Sequence, residues 1–172
     1  EFVQFHPTAL KIDGAPCFLL SEALRGEGAV LIDDYGNSPL SSLKGADLAP
    51  RDQVSQALVE AMKVQKVNSF GLDLSQIPSD RLESRFPTIL SNCRELGLDP
   101  INHPIPVAPA AHYWMGGIAT DLNASTSLSG LYAVGEVAAT GLHGANRLAS
   151  NSLMECIVFA RQMSDIQLED VV

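Results

Sequence analysis

Arg51 and Arg147 are the side chains whose chemistry most needs explaining. Arg51 follows Ala49-Pro50 and precedes Asp52, in what reads as the first turn of a helix. A cation there opposes the helix dipole by roughly a few tenths of a kcal/mol or more. It is either a snorkelling surface arginine, partly offset by Asp52, or a group facing an anion or a proton-transfer partner. Arg147 lies in Gly144-Ala145-Asn146-Arg147-Leu148, a loop of small residues leading into a helix. An arginine grips a carboxylate through two parallel N–H bonds, which a lysine cannot do. The competing reading is an arginine that pins its own loop.

His6, His112 and His143 stand near breaks in the apolar pattern, and their spacings match no zinc motif. They suit carboxylate donors or polar anchors, and no metal site is expected. His103, before Pro104, reads as a loop residue without a role. The chain has no G-x-S-x-G elbow, no P-loop and no G-x-G-x-x-G, and Gly26-Glu27-Gly28 lacks the third glycine of a phosphate cradle.

Elements must position these groups. Residues 1–5 alternate polar and apolar and break at His6-Pro7. Ala29 to Ile32 reads as a short apolar strand, and Asp33 to Gly45 as a loop rich in turn formers. A helix begins at Pro50, with Val54, Leu58, Ala61, Met62 and Val64 recurring at helical spacing. Gly71 to Leu74 is a second short strand, and a further helix spans Arg81 to Leu96 and ends at Gly97. The prolines at 100, 104, 106 and 109 make residues 101–111 an extended, stiff connector. Leu131 to Val134 reads as a buried strand, and residues 135–149 as a glycine-punctuated loop. The last helix starts near Asn151 or Ser152, where Ser152-Leu153-Met154-Glu155 matches a capping box. Its N-terminus, with partial positive charge and free N–H groups, suits an anion or a reduced flavin ring.

A formal charge of −9 over 172 residues argues against non-specific nucleic-acid binding. It also leaves the capture of any anion to local arginines and histidines. The three cysteines form no CxxC pair, and Cys156 falls in an apolar helical pattern that suggests a buried, reduced thiol. No apolar run approaches the roughly 20 residues needed to span a bilayer, so no membrane association is expected. These features suggest a cytoplasmic protein. Glu1-Phe2-Val3 reads as a strand already under way, which suggests a piece of a longer protein.

Three blocks together resemble a known family: Val3-Gln4-Phe5-His6-Pro7-Thr8 with Ser21-Glu22-Ala23-Leu24-Arg25-Gly26-Glu27-Gly28, then Leu48-Ala49-Pro50-Arg51-Asp52, and Gly135-Glu136 through His143-Gly144-Ala145-Asn146-Arg147 to Ser152-Leu153. Their order and spacing are similar to the flavoprotein family of L-aspartate oxidases and the flavoprotein subunits of succinate dehydrogenase and fumarate reductase. Pro50 before Arg51, Pro106 to Tyr113, and Gly141-Leu142-His143-Gly144 look like the aspartate-oxidising branch. Where the family commonly has a G-E-R-F run, this chain has Gly36-Asn37-Ser38-Pro39.

The resemblance implies an α+β capping domain over residues 1–113. Residues 114–172 would then be the C-terminal part of an α/β, Rossmann-like FAD-binding domain. The other half of that domain, with its pyrophosphate site, and a C-terminal helical domain would lie outside these residues. It further implies FAD as cofactor and a small dicarboxylate, L-aspartate, fumarate or succinate, as substrate. Arg51 would be the proton-transfer group. His112 and Arg147 would clamp substrate carboxylates, helped by His6, Ser21 and Glu22. Glu136 would bond flavin-side hydroxyls, and Asn151, Ser152 and Leu153 would meet the flavin ring. The implied reaction is oxidation of L-aspartate to iminoaspartate, with FAD reoxidised by oxygen or fumarate. It opens the route to quinolinate and NAD, hence a functional link to quinolinate synthase. The alternatives are a succinate- or fumarate-handling subunit and, for these 172 residues alone, an inert fragment that binds no flavin.

Overall fold

The computed structural model describes residues 2–166. The chain is a mixed α/β structure that divides into two compact units. One is Phe5–Ala110; the other takes in the residues through Gln4 and those from Ala111 onward.

The unit Phe5–Ala110 is built on a four-stranded sheet. Its strands are β1 (Phe2–Leu10), β2 (Val30–Ile32), β3 (Phe70–Asp73) and β4 (Ile105–Met115), in the order β1-β4-β3-β2. The pairs β2/β3 and β3/β4 are antiparallel, with Leu31 opposite Leu72 and Phe70 opposite Val107. β1 does not break at His6-Pro7 as its sequence suggests. Pro7 has no N–H to donate, but pairing continues past it, with Thr8 O accepting from Leu20 N at 2.9 Å and Leu10 N donating to Phe18 O at 2.7 Å. The proline-rich segment is likewise a strand and not a free connector. Pro106 faces Gly71 in the register, and its carbonyl accepts from Lys11 N at 2.9 Å. Gly71 is required by this close approach: a Cβ there would lie 2.8 Å from Pro104 Cβ.

Helix α1 (Glu22–Gly26) is capped by Ser21, whose Oγ accepts from Ala23 N at 3.2 Å. Helix α2 (Arg51–Gln65) follows Pro50, which caps it from outside rather than opening it. Of the apolar positions in its sequence pattern, Val54 and Leu58 are fully buried, Ala61 and Met62 partly, and Val64 is exposed. The helix read over 81–96 is two, α3 (Ser79–Arg85) and α4 (Pro87–Glu95). Pro87 drives Phe86 out of helical geometry, to φ −129°, and then opens α4. Leu20, Leu24, Leu31, Leu40, Leu58, Leu72 and Leu90 form the centre of one leucine-rich core.

The second unit contains a short parallel pair, β5 (Ile118–Ala119) with β6 (Ala138–Ala139), and helix α5 (Ala149–Met163). A 3-10 turn, Gly135–Val137, leads into β6. Gly117, at φ +121°, passes so close to Val137 that a Cβ would meet its carbonyl at 2.2 Å. Residues 131–134 are not a buried strand: Tyr132 makes an isolated bridge to Ser125, Leu131 is exposed and Ala133 alone is buried in apolar contact.

Helix α5 starts earlier than its capping pattern suggests. Ala149 is its first residue and Leu148 the cap, with no side-chain capping bond. The Ser152–Glu155 box does not form, because both side chains are engaged elsewhere in the unit. Cys156 is exposed rather than buried, as Cys17 is, while Cys93 lies in the leucine core. α5 buries Glu155 and Phe159, which turns Cys156 away from the interior.

Candidate active site

Within Phe5–Ala110, the charged centre gathers on the start of α1 and the start of α2. Arg51 is the first residue of α2, and its Nη2 donates to Glu22 Oε2 at 2.6 Å. The other carboxylate oxygen of Glu22 lies 3.6 Å from Arg25 Nη2. One carboxylate therefore lies between two guanidinium groups. Arg25 is 2% exposed and donates from Nη1 to the Asp47 carbonyl, while its Nε and Nη2 lack hydrogen-bond partners among the described residues. Burial pushes the Arg25 guanidinium below its ordinary value, against the opposing pull of Glu22 and Asp47. Burial also pushes the Asp47 carboxyl up, although Leu31 N–H, donating at 2.8 Å, favours its ionised form. His6 is buried. Because its Nδ1 accepts from Thr8 N–H, the neutral ring carries its proton on Nε2. Ser21 serves locally as the cap of α1.

In the second unit the polar centre is Arg147, 6% exposed. Its Nη1 donates to Ser152 Oγ at 2.6 Å and its Nε to Gln4 Oε1 at 3.4 Å. Its Nη2 lies 3.1 Å from His112 Nε2. A guanidinium only donates, so His112 accepts through Nε2 and keeps its proton on Nδ1. Gln4 Nε2 in turn donates to Asn146 Oδ1 at 2.8 Å and to the Arg147 carbonyl at 2.9 Å. The guanidinium face lies 3.6 Å over the Tyr113 ring. Arg147 is thus held along its edge and across its face. The same bonds pin the loop that carries Arg147.

Beyond Tyr113, His143 meets the ring edge-on, with centroids 5.9 Å apart. His143 Nε2 lies 2.8 Å from Glu155 Oε2, and Thr140 donates to the other oxygen of Glu155. Gln4 and Tyr113 lie in stretches that carry the family resemblance, but neither they nor Glu155 has an individual role in the sequence reading. Glu155 looked like a cap partner, and Gln4 is separated from Arg147 by 143 positions.

Glu136 Oε1 accepts from Trp114 N at 3.0 Å. Asn151 is exposed and its N–H donates to Leu148 O at 3.0 Å. Ser152 and Leu153 occupy the fourth and fifth positions of α5. There, backbone N–H groups ordinarily serve the helix's own ladder, which leaves Ala149 and Ser150 at its open end. Among the described residues no group of three or more His, Cys, Asp or Glu side chains is placed to hold a metal.

A loop of small residues turns into helix α5 beside the buried Arg147. The chain matches the family of FAD binding domains over residues 1–153 and belongs to that family. It is 53% identical to L-aspartate oxidase of Nostoc sp. over the whole of its length, which is 31% of that protein. It is 47% identical to the Pseudomonas aeruginosa L-aspartate oxidase over 98% of the chain and 32% of that protein. Among solved structures, the FrdA chain of an Escherichia coli quinol fumarate reductase variant matches with a TM-score of 0.83 at 40% identity. That match covers 94% of this chain and 31% of the other. Mycobacterium smegmatis Sdh1, in complex with UQ1, matches with a TM-score of 0.71 at 33% identity, over 94% of this chain and 28% of that one. The chain spans about a third of the length of the curated relatives it matches.

The second unit's residues fit part of FAD. A hollow of about 320 Å³ is walled by Ala138, Ala139, Gly141, Gly144 and Ala145, small enough side chains to admit a flat ring against backbone. His143 also lines it, and its Nδ1 is a buried polar atom with no hydrogen-bond partner among the described residues. Such an atom suits a polar ligand edge.

Proposed function

We propose that the protein of which these residues form part is a cytoplasmic, FAD-dependent oxidoreductase that converts L-aspartate to iminoaspartate. The observation that carries this reading is the buried Arg147, fixed at its edge by Gln4, Ser152 and His112 and at its face by Tyr113. A fork held in that way has already lost its rotamer freedom, so binding a carboxylate costs it little further entropy.

In this reading Phe5–Ala110 is the core of the capping, substrate-handling domain, and the residues from about 114 onward contribute to the FAD-binding domain. Arg147 clamps one substrate carboxylate. His112 assists from Nδ1, the nitrogen that bears its proton while Nε2 faces Arg147. His6 supplies a second donor from Nε2, and Ser21 and Glu22 line the substrate side. Arg51 is the proton-transfer group, oriented by Glu22. A guanidinium has a pKa far above neutrality, so it transfers a proton only with a relay beside it, and Glu22 between Arg51 and Arg25 is such a relay. FAD, when bound, accepts the hydride released from the substrate α-carbon. Asn151, Ser152 and Leu153, near the start of α5, would hold the flavin ring, with the positive end of the helix dipole favouring its reduced, anionic form. Glu136 completes the cofactor contacts through its carboxylate. Iminoaspartate hydrolyses readily, which favours rapid consumption by the next enzyme, quinolinate synthase in this reading.

The test is an assay of the full-length protein for peroxide with L-aspartate and for dye reduction with succinate. Peroxide from L-aspartate is the expected result; turnover of succinate alone rejects the aspartate reading in favour of a succinate- or fumarate-handling enzyme. Arg147→Met is expected to lower kcat/KM by about 100-fold or more.

A further inference from the structure

We propose that Tyr113 is a positioning residue for Arg147: its ring sets the plane of the guanidinium, and the buried His143–Glu155 pair sets the ring. The inference rests on the reading of Arg147 as a carboxylate clamp.

The bonds to Gln4, Ser152 and His112 all lie along the edge of the guanidinium and restrain it within its plane. They resist tilting poorly, because a hydrogen bond tolerates a broad range of out-of-plane angles. The Tyr113 ring, its centroid 3.6 Å from the Arg147 Cζ, adds a contact across the face that resists tilt. A bidentate grip needs both N–H vectors in the carboxylate plane, so tilt is the error a clamp tolerates least. A ring can support a guanidinium only if it is itself fixed. His143 abuts Tyr113 at a right angle, and its side chain is 9% exposed. Glu155, whose side chain is 1% exposed, holds His143 through one oxygen and Thr140 through the other. A carboxylate buried in α5, among outward-facing Leu153, Met154 and Ile157, is costly to keep without such a purpose. The ring face, not the phenol hydroxyl, supports the guanidinium.

The experiment measures succinate affinity in the full-length, FAD-loaded protein from the change in flavin absorbance, with thermal unfolding as a check on folding. Tyr113→Phe keeps the face and is expected to bind succinate within about twofold of wild type. Tyr113→Leu removes it and is expected to weaken binding about tenfold, the scale of a partly desolvated cation–π contact. Tyr113→Met, of similar volume, replaces the leucine variant if that one does not fold. Glu155→Ala is expected to weaken binding about threefold, by loosening His143. Equal affinity in Tyr113→Leu or Tyr113→Met and wild type overturns the proposal, provided Arg147→Met has lost binding. If Arg147→Met binds succinate as wild type does, the clamp reading itself fails, and the positioning role falls with it. Unchanged affinity in Glu155→Ala removes the buttress from the inference.

Discussion

The two units of this chain keep their shape in opposite ways. Phe5–Ala110 buries leucines: Leu20, Leu24, Leu31, Leu58, Leu72 and Leu90 are essentially inaccessible. The second unit has, among its described residues, Met115, Ala124, Ala133, Ala138 and Phe159 as buried apolar side chains, and three of these five are alanines. What it buries instead is polar: Gln4, Arg147 and Glu155. Leu148, Leu153, Met154 and Ile157 face outward, each more than half exposed. A helix that hides a glutamate and displays leucine reverses the usual order of burial. The contrast teaches that apolar burial stabilises the first unit, whereas the second is organised by a buried polar network. Its outward apolar face is the kind of surface that ordinarily contacts something else.

The largest expected effect lies in the leucine core. Leu58→Ala leaves a cavity at a fully buried position of α2 and is expected to cost about 2–5 kcal/mol, read by urea unfolding. A loss under about 1 kcal/mol, the size of an average substitution, breaks the claim that this unit depends on close apolar packing.

A smaller, pH-dependent effect sharpens the picture of the first unit's buried charges. Burial raises the Asp47 carboxyl above its ordinary value, so the folded state holds that proton more readily than the unfolded state does. Asp47 therefore contributes stability as pH falls through its raised folded-state value, and the contribution is complete below the ordinary carboxylate value. Asp47→Asn cannot take up the proton, yet retains an oxygen to accept from Leu31 N–H. Wild type minus Asp47→Asn, in unfolding free energy, is expected to rise on acidification. A difference that falls instead shows that the Arg25 charge outweighs burial at this site.

The unequal legibility of the two units follows from the same physics. Helix α2 and strands β2 and β3 were readable because apolar periodicity records which face meets a core, and here there is a core to meet. The prolines of residues 101–111 correctly imply an extended, stiff segment, but not its place in a sheet; Pro106 joins β4 by accepting from Lys11, with a glycine opposite. In the second unit local rules misled. Ser152 and Glu155 have the spacing of a cap, but Arg147 takes the serine and His143 the glutamate, so the helix opens at Ala149. Arg147 stands out by residue type and by its loop of small residues, whereas a role for His112 follows only from the family resemblance. The contacts of Tyr113 and Gln4 with Arg147 are not legible, because a ring beneath a guanidinium and an amide across 143 positions leave no local pattern.

The smallest expected effect tests the outward face of α5. Ile157 is 63% exposed, and serine and isoleucine differ little in helix propensity. Ile157→Ser in this 172-residue chain is therefore expected to change unfolding free energy by no more than about 0.5 kcal/mol. The same substitution in the full-length protein makes the comparison decisive. If another segment covers α5 there, the serine hydroxyl is buried in place of an apolar side chain, and the loss rises to about 1–3 kcal/mol. Equally small losses in both proteins mean that the face stays open to solvent. The polar network of Arg147 and Glu155 would then hold the second unit together without an apolar partner.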